Sequence, residues 1–283
     1  MSTAAEAYAA RVDAFNRQAA RVSTPQSDRW ASRAAMFRLD PRRELEANTA
    51  AVTAFVGPDD VVVDVGGGAG RVSLPIALRC AGVVNIEPSA AMRAEFEASA
   101  AEAGISNARC IDADWPAGAA GIEGDVVLVA NVTYFVREIV PFVAALTAAA
   151  RKRVVISVWS VPPPNDAAKV FELIHGEPLA TAPGHEHLLP VLWEMGLLPE
   201  IRTLPDEFRT ARMRPPTVED AVKLAVEVAS GSSVARAEDT IRAHFDELYA
   251  PSPEGFVPLW RRPSREMLIT WETGSSLSRT PRT

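Results

Sequence analysis

The 283-residue sequence contains little cysteine and no long apolar run. Cys80 and Cys110 lie in apolar segments without the spacing of a zinc or redox motif, so we expect two buried, reduced thiols rather than a disulfide or a metal site. No apolar stretch approaches the roughly 20 residues of a membrane-spanning helix, and the first residues lack the apolar segment of a signal peptide. The sequence therefore predicts no membrane partner and a cytoplasmic location.

An excess of basic residues is also missing. The formal net charge is −7, and the basic residues are scattered or lie near the C-terminus, so we expect no nucleic-acid partner. The hydrophobic fraction of 48% and the charged fraction of 23% are ordinary for a globular chain that buries a sizeable core.

Strand and helix patterns alternate from about residue 40 onward. Apolar runs of strand length lie at 61–65, 83–87, 107–115, 125–131, 153–159, 198–204 and 266–272. Repeated strand and helix units favour a parallel sheet covered by helices on both faces. The predicted fold class is α/β, with a doubly wound, mostly parallel, Rossmann-like seven-stranded sheet and helical insertions.

The helical patterns also suggest how the chain is divided. Residues 1–40 are predicted to form a helical lid ahead of a main domain over 41–283, with insertions at 161–184 and 210–262. The second insertion carries two helical patterns, over 217–231 and 234–250. It either walls the ligand site or forms the interface of a homodimer.

Two local signals define the predicted N-terminal part. Trp30, Ala34 and Phe37 have the i, i+4, i+7 spacing of one helical face, which packs on the core or covers a ligand. Asp40 and Pro41 have the pattern of an N-cap followed by a first helical residue, so a helix is predicted to begin there.

A glycine-rich turn follows the first predicted strand, at the edge of the sheet where ligands bind. A dinucleotide fingerprint, GxGxxG, fails here because Arg71 stands where its third glycine is needed. An acid followed by GxGxG does match. The residues of this segment are Asp64, Gly66, Gly67, Gly68 and Gly70.

This segment resembles the first motif of class I S-adenosylmethionine-dependent methyltransferases. The resemblance implies a methyltransferase domain over 41–283 and S-adenosyl-L-methionine as the cofactor. It also implies that the acid and the four glycines bind that cofactor, with the turn against its methionine end. The firm part of the resemblance covers about residues 40–160.

Glu87 ends the second predicted strand, where an acid can accept hydrogen bonds from both hydroxyls of a ribose. Dinucleotide enzymes also use an acid there, so Glu87 predicts a ribose without choosing the nucleotide. The choice between a dinucleotide and S-adenosylmethionine rests on Arg71, which stands where the dinucleotide motif needs its third glycine. The predicted cofactor site also includes Pro88, which follows Glu87.

The resemblance extends to the third strand. Asp114 and Trp115 end this predicted strand where the family often has an aspartate that bonds the adenine amino group and a neighbour against the ring. Asp112 takes that place if the strand ends sooner, and a solvated loop carboxylate is the alternative for Asp114.

Asn131 ends the fourth predicted strand, and the loop NVTYFV that it begins is expected to line the cofactor pocket. Nucleic-acid amine methylases have an NPPY-like tetrapeptide there, but Val132 and Thr133 replace the prolines, which disfavours that activity. The acidic cluster of metal-dependent O-methyltransferases is missing after this strand, so no metal is predicted.

The predicted function is in-line methyl transfer to a small molecule. An NAD(P)-dependent oxidoreductase and a non-catalytic cofactor-binding protein are the alternatives. No catalytic residue is assigned, since the histidines at 185 and 187 have the pattern of a solvated helix start.

Overall fold

A seven-stranded sheet forms the centre of the computed structural model, which describes residues 2–22, 28, 30–31, 33–205, 214–230 and 236–273. All seven predicted strands are present, although the third ends at Ile111 rather than at Trp115. The strands of the sheet are β1 (Val61–Val65), β2 (Gly82–Ile86), β3 (Ala108–Ile111), β4 (Gly124–Ala130), β5 (Ala150–Trp159), β6 (Glu200–Thr203) and β9 (Glu266–Glu272). A separate hairpin consists of β7 (Tyr249–Ser252) and β8 (Gly255–Pro258).

The strand order is β3-β2-β1-β4-β5-β9-β6. Neighbouring strands from β3 to β5 are parallel, whereas β9 runs antiparallel to both β5 and β6. The predicted fold class, a doubly wound and mostly parallel sheet, is confirmed. The order reverses between β1 and β4, so a ligand crevice is expected at the carboxyl ends of these strands.

Helices cover both faces of the sheet. They are α1 (Ala4–Val22), α2 (Ala47–Thr53), α3 (Ser73–Ala77), α4 (Ala90–Glu102), α5 (Ile139–Ala149), α6 (Ala168–His175), α7 (His185–Glu194), α8 (Val218–Ser230), α9 (Ala237–Ala243) and α10 (Phe245–Leu248). The apolar core on one face includes residues of α1, α5 and α7, and the core on the other includes residues of α2, α3 and α4. Successive β1 side chains alternate between these cores, as the pleat requires. Among the helices described, none is both long and apolar enough to cross a bilayer.

Helix α1 belongs to the core. Tyr8 and Val12 are 1% and 0% exposed, and the Tyr8 hydroxyl donates a 2.7 Å hydrogen bond to the carbonyl of Thr133. This part of the predicted lid therefore packs against α5, α7 and the loop after β4.

Two N-terminal predictions were wrong in detail. A single 3-10 turn, Ala34–Phe37, replaces the helical face predicted through Trp30, and residues 26, 27, 29 and 32 of that segment lie outside the described residues. The helix predicted from Asp40 begins instead at Ala47. The Asp40 carboxylate accepts a 2.8 Å hydrogen bond from the backbone N–H of Arg42, which closes a turn.

The insertions contain more structure than predicted. The first carries a 3-10 turn, Pro163–Ala167, and helix α6. In the second, α8 agrees with the first predicted helix, but the second predicted helix is divided into α9 and α10, and the β7–β8 hairpin was not predicted. Side chains of α6, α8, α9 and the hairpin share a third apolar core. Residues 210–213 and 231–235 of this insertion lie outside the described part of the chain.

Candidate functional site

The glycine turn connects β1 to α3 at the carboxyl edge of the sheet. Gly66, Gly68 and Gly70 have φ values of +69°, +56° and +77°, in the left-handed region that side chains other than glycine rarely adopt. Helix α3 begins at Ser73, which is the late start that Pro75 needs to be tolerated in its first turn. The turn therefore has the tight conformation that its glycine pattern predicted.

Asn85 of β2 holds the centre of this turn. Its Oδ1 accepts a 3.1 Å hydrogen bond from the N–H of Gly67, and its Nδ2 donates a 3.0 Å bond to the carbonyl of Gly68. Sequence reasoning missed Asn85. A polar residue within a buried apolar strand was the available signal, because a buried amide is almost always hydrogen-bonded.

Glu87 directly follows β2 and is 6% exposed. One carboxylate oxygen accepts a 3.0 Å bond from the N–H of Gly68, and the other accepts a 2.9 Å bond from the N–H of Ser89. Burial raises the pKa of Glu87, against the effect of these two bonds and of Arg93. The structure thus places Glu87 beside the glycine turn, while Pro88, its neighbour, is exposed.

Asp64 lies under the turn. It is 1% exposed, and neither carboxylate oxygen has a well-formed hydrogen bond to the described chain. Burial raises the pKa of Asp64 to about 7; the charge of Glu87 acts in the same direction, and the Ser73 hydroxyl acts against it. A Cβ atom at Gly67 would overlap the Asp64 carboxylate, so only glycine fits above this acid.

The structure does not bring Asp114 into contact with the turn. Because β3 ends at Ile111, Asp114 lies in a loop, where its side chain is exposed. Asp112, the alternative, makes a 2.7 Å ion pair with Arg93. The Trp115 indole donates a 3.3 Å bond to the carbonyl of Phe142 and packs on the core.

Asn131 follows β4 with a φ of +63°, an uncommon value for a residue with a side chain. Its Oδ1 accepts a 2.9 Å bond from the Tyr134 hydroxyl, whose oxygen in turn accepts a 2.5 Å bond from the N–H of Trp159. This network fixes the loop after β4 against the end of β5. The loop that was predicted to line the pocket is therefore bonded in place beside the crevice.

Residues 28, 30–31 and 33–37, which we call the strap, touch both sides of the crevice. On the α4 side, the Asp28 carboxylate accepts a 2.8 Å bond from the Ser89 hydroxyl. On the β4 side, the Trp30 ring packs edge-on against Phe135, with 6.4 Å between ring centroids. Trp30 also packs against Phe37 within the strap. Asp28 was another residue that sequence reasoning missed.

No protein-family model matches the sequence, and no curated protein matches it. Solved structures do match. An S-adenosylmethionine-dependent methyltransferase from Geobacter sulfurreducens, crystallised with S-adenosyl-L-homocysteine, is 14% identical with a TM-score of 0.52, over 88% of this chain and 98% of its own.

A methyltransferase from Thiobacillus denitrificans with the same ligand is 13% identical with a TM-score of 0.51, over 82% of this chain and 93% of its own. The YcgJ protein of Bacillus subtilis is 12% identical with a TM-score of 0.52, over 81% and 98%. At these identities the likeness concerns architecture: the chain has the fold of S-adenosylmethionine-dependent methyltransferases.

Proposed function

We propose that this protein is an S-adenosylmethionine-dependent methyltransferase whose acceptor is a small molecule. The fold supports this, and so does the arrangement of Asp64, the glycine turn and Glu87 on two neighbouring strands. The proposal depends most on the electrostatics of the turn.

The N–H groups of all four glycines in the turn are already bonded within the chain. Gly66 donates to the carbonyl of Ile86 at 2.8 Å, and Gly70 donates to that of Gly67 at 3.0 Å. The N–H groups of the two glycines between them go to Asn85 and Glu87. A pyrophosphate needs such N–H groups to be free.

Two buried acids also lie against the turn, namely Asp64 and Glu87. Carboxylates in a poorly solvated site favour a positively charged ligand and oppose a negatively charged one. S-adenosylmethionine carries a sulfonium and an ammonium group, whereas a nicotinamide dinucleotide carries a pyrophosphate. This contrast is the observation that favours the methyltransferase over the oxidoreductase.

The hydrogen bonds that Glu87 can still accept fit the two hydroxyls of a ribose. A carboxylate can accept about four hydrogen bonds, and each Glu87 oxygen here accepts one from the backbone. Each oxygen therefore retains a lone pair for one ribose hydroxyl. In this proposal Pro88, Asp114 and Trp115 face the adenine, and Asn131 lies toward the methionine end.

The bound cofactor would supply an electrophilic methyl group on its sulfonium. The chain has to align the acceptor with that methyl group and exclude water, and such positioning can contribute roughly 7 to 11 kcal/mol. The aromatic rings of the strap and of Phe135 exclude water from the crevice mouth.

A small acceptor is favoured by the elements around the crevice. The Arg33 guanidinium of the strap donates a 3.4 Å bond to the carbonyl of Glu227 on α8, so the strap reaches the second insertion. Helix α6 of the first insertion packs on the same apolar core as α8. We propose that the N-terminal segment and both insertions together wall a closed acceptor site.

Thermal-shift measurements test the cofactor. We expect stabilisation by S-adenosyl-L-homocysteine and none by NADH, and the reverse result would support the oxidoreductase. A metabolite screen with S-adenosylmethionine labelled on its methyl group then tests turnover. Tight binding of S-adenosyl-L-homocysteine without transfer to any acceptor would favour the non-catalytic cofactor-binding protein.

A further inference from the structure

The Asn85 side chain is completely buried in a strand whose other buried residues are apolar. It pairs with Asp64 across β1 and with Cys110 across β3. Burying an amide costs free energy unless both of its ends are bonded. Both ends of Asn85 are bonded to one short segment of the chain, the Gly67–Gly68 turn.

The orientation of this amide is fixed by its partners. A backbone N–H can only donate, so the oxygen of Asn85 must face Gly67, and a backbone carbonyl can only accept, so the nitrogen must face Gly68. The side chain thereby spans one peptide unit and bonds both sides of it. The turn is held at this point from β2, in addition to the bond that Glu87 makes.

We propose that Asn85 is a positioning residue for the cofactor, which holds the Gly67–Gly68 turn in the conformation that binds the methionine end and keeps the Gly67 N–H from a phosphate group. This inference rests on the proposed function. Asn85 acts through the turn, not by contact with the cofactor. An apolar side chain in its place would leave an N–H and a carbonyl without partners.

An aspartate at this position is informative because it has nearly the same shape. Its ionised form can accept from Gly67 but cannot donate to the carbonyl of Gly68. Its protonated form can do both, so N85D should regain the native arrangement as the pH falls. The titratable neighbours of this position are Asp64 of β1, Glu87 at the end of β2 and Cys110 of β3. The further charges that act on these neighbours are those of Asp28, Arg93 and Glu97.

The four acids in this set, Asp64, Glu87, Asp28 and Glu97, disfavour ionisation of a further carboxyl, and Arg93 favours it. The variant should therefore change protonation state within the accessible pH range. Because Asp64 and Glu87 titrate in every protein compared, the informative quantity is the affinity of the variant divided by that of the wild type at each pH.

The experiment measures binding of S-adenosyl-L-homocysteine by calorimetry from pH 5.5 to 8.5, with the wild type, N85D, N85A and N107D. Asn107 is a matched control, because its amide also bonds backbone carbonyls, those of Ala77 and Cys80 at 2.8 and 3.0 Å, but at the amino end of β3. We expect N107D to lower the melting temperature without changing affinity. N85A should bind roughly 10- to 100-fold more weakly.

N85D should bind at least about tenfold more weakly than the wild type at pH 8.5, and the deficit should shrink steadily toward pH 5.5. If N85A does not fold, this pH profile of N85D decides the question. Equal affinity of N85D and the wild type throughout, or a deficit that does not change with pH, would overturn the role of Asn85. Failure of the wild type itself to bind would instead overturn the proposed function and this inference with it.

Discussion

Glu87 and Asp114 lie in different surroundings, although each follows a strand of the parallel sheet. Glu87 is 6% exposed and bonded to the turn, whereas Asp114 is an exposed loop residue. We expect Glu87→Ala to weaken binding of S-adenosyl-L-homocysteine by roughly 10- to 100-fold, since charge-assisted bonds to two hydroxyls are lost. Asp114→Ala should cost only about threefold, because water replaces part of its single bond.

Calorimetry on the two variants at one pH checks this order. Glu87→Gln serves as a further control, since it keeps the shape of the side chain and loses the charge. A larger loss from Asp114→Ala than from Glu87→Ala would mean that the ribose-binding acid is misplaced.

Asp64 gives a prediction about pH. The pKa of Asp64 is raised to about 7 from an ordinary value of 3.8, so the folded protein binds this proton more tightly than the unfolded chain. Stability is therefore highest below the unfolded pKa and falls as the pH rises from about 4 through 7. The loss is a few kcal/mol at most, at ~1.4 kcal/mol for each pKa unit.

Asp64→Asn removes this proton and keeps the side-chain shape. Urea unfolding at pH 4.5 and pH 8 should show the variant gaining stability relative to the wild type at the higher pH. Groups that do not interact with Asp64 titrate alike in both proteins, so their contributions cancel in the comparison. A constant difference between the two proteins at both pH values would contradict the buried, ionising state of Asp64.

The candidate-site residues that could be predicted from the sequence are those that belong to a local pattern. Asp64, the glycines and Glu87 lie at strand ends that hydropathy alone locates. Asn85 and Asp28 were missed because their partners come from other elements: Asp28 bonds a helix start 61 positions away along the chain. Such pairings depend on the packed fold, which no local window of sequence contains.

At the scale of elements, the strap is held on α4 by Asp28. Removing this carboxylate releases the Ser89 hydroxyl and the N–H of Ala91, which lies 3.3 Å from it. We expect Asp28→Ala to speed dissociation of S-adenosyl-L-homocysteine several-fold while the melting temperature of the free protein changes little. Stopped-flow tryptophan fluorescence can follow the release, since Trp30 is part of the strap.

Asp40→Ala is the matched control for this prediction. The Asp40 carboxylate also accepts a backbone bond, from Arg42, but it does so in a turn outside the strap. Unchanged dissociation in a folded Asp28→Ala variant would show that the strap does not retain the ligand.

The same Asp40 turn shows why some elements were mispredicted. The side chain of an aspartate before a proline can cap a helix or can accept a bond from the backbone N–H two residues later. The same local sequence is compatible with both structures. The β7–β8 hairpin was missed for a different reason, because Pro251, Pro253 and Pro258 argue against strands in this segment. Strands such as β1 and β4 were found because they are buried on both faces and therefore mostly apolar.

At the scale of the whole molecule, β9 joins the two parts of the sheet. Within the described residues β6 pairs with β9, and β5 pairs with β9 on its other edge. Leu268 and Ile269 of β9 are completely buried, one in each core. We expect a chain that stops after Arg265 to lose cooperative unfolding, as followed by circular dichroism during urea denaturation.

A chain that stops after Thr273 keeps every residue of β9 and is the control. Cooperative unfolding of the shorter chain, at a midpoint close to that of the control, would mean that β6 and β5 associate without the strand between them.

The interior position of β9 also affects how the chain folds during translation. More than a hundred residues separate the end of β5 from β9, and the ribosome needs roughly 5 to 20 s to add them. Throughout that time the nascent chain presents an open β5 edge, which is a template for pairing with other chains. The strands that carry the glycine turn and Glu87 have already been synthesised by then. A ligand that binds to them early would therefore bind a partly formed sheet whose β5 edge is still exposed.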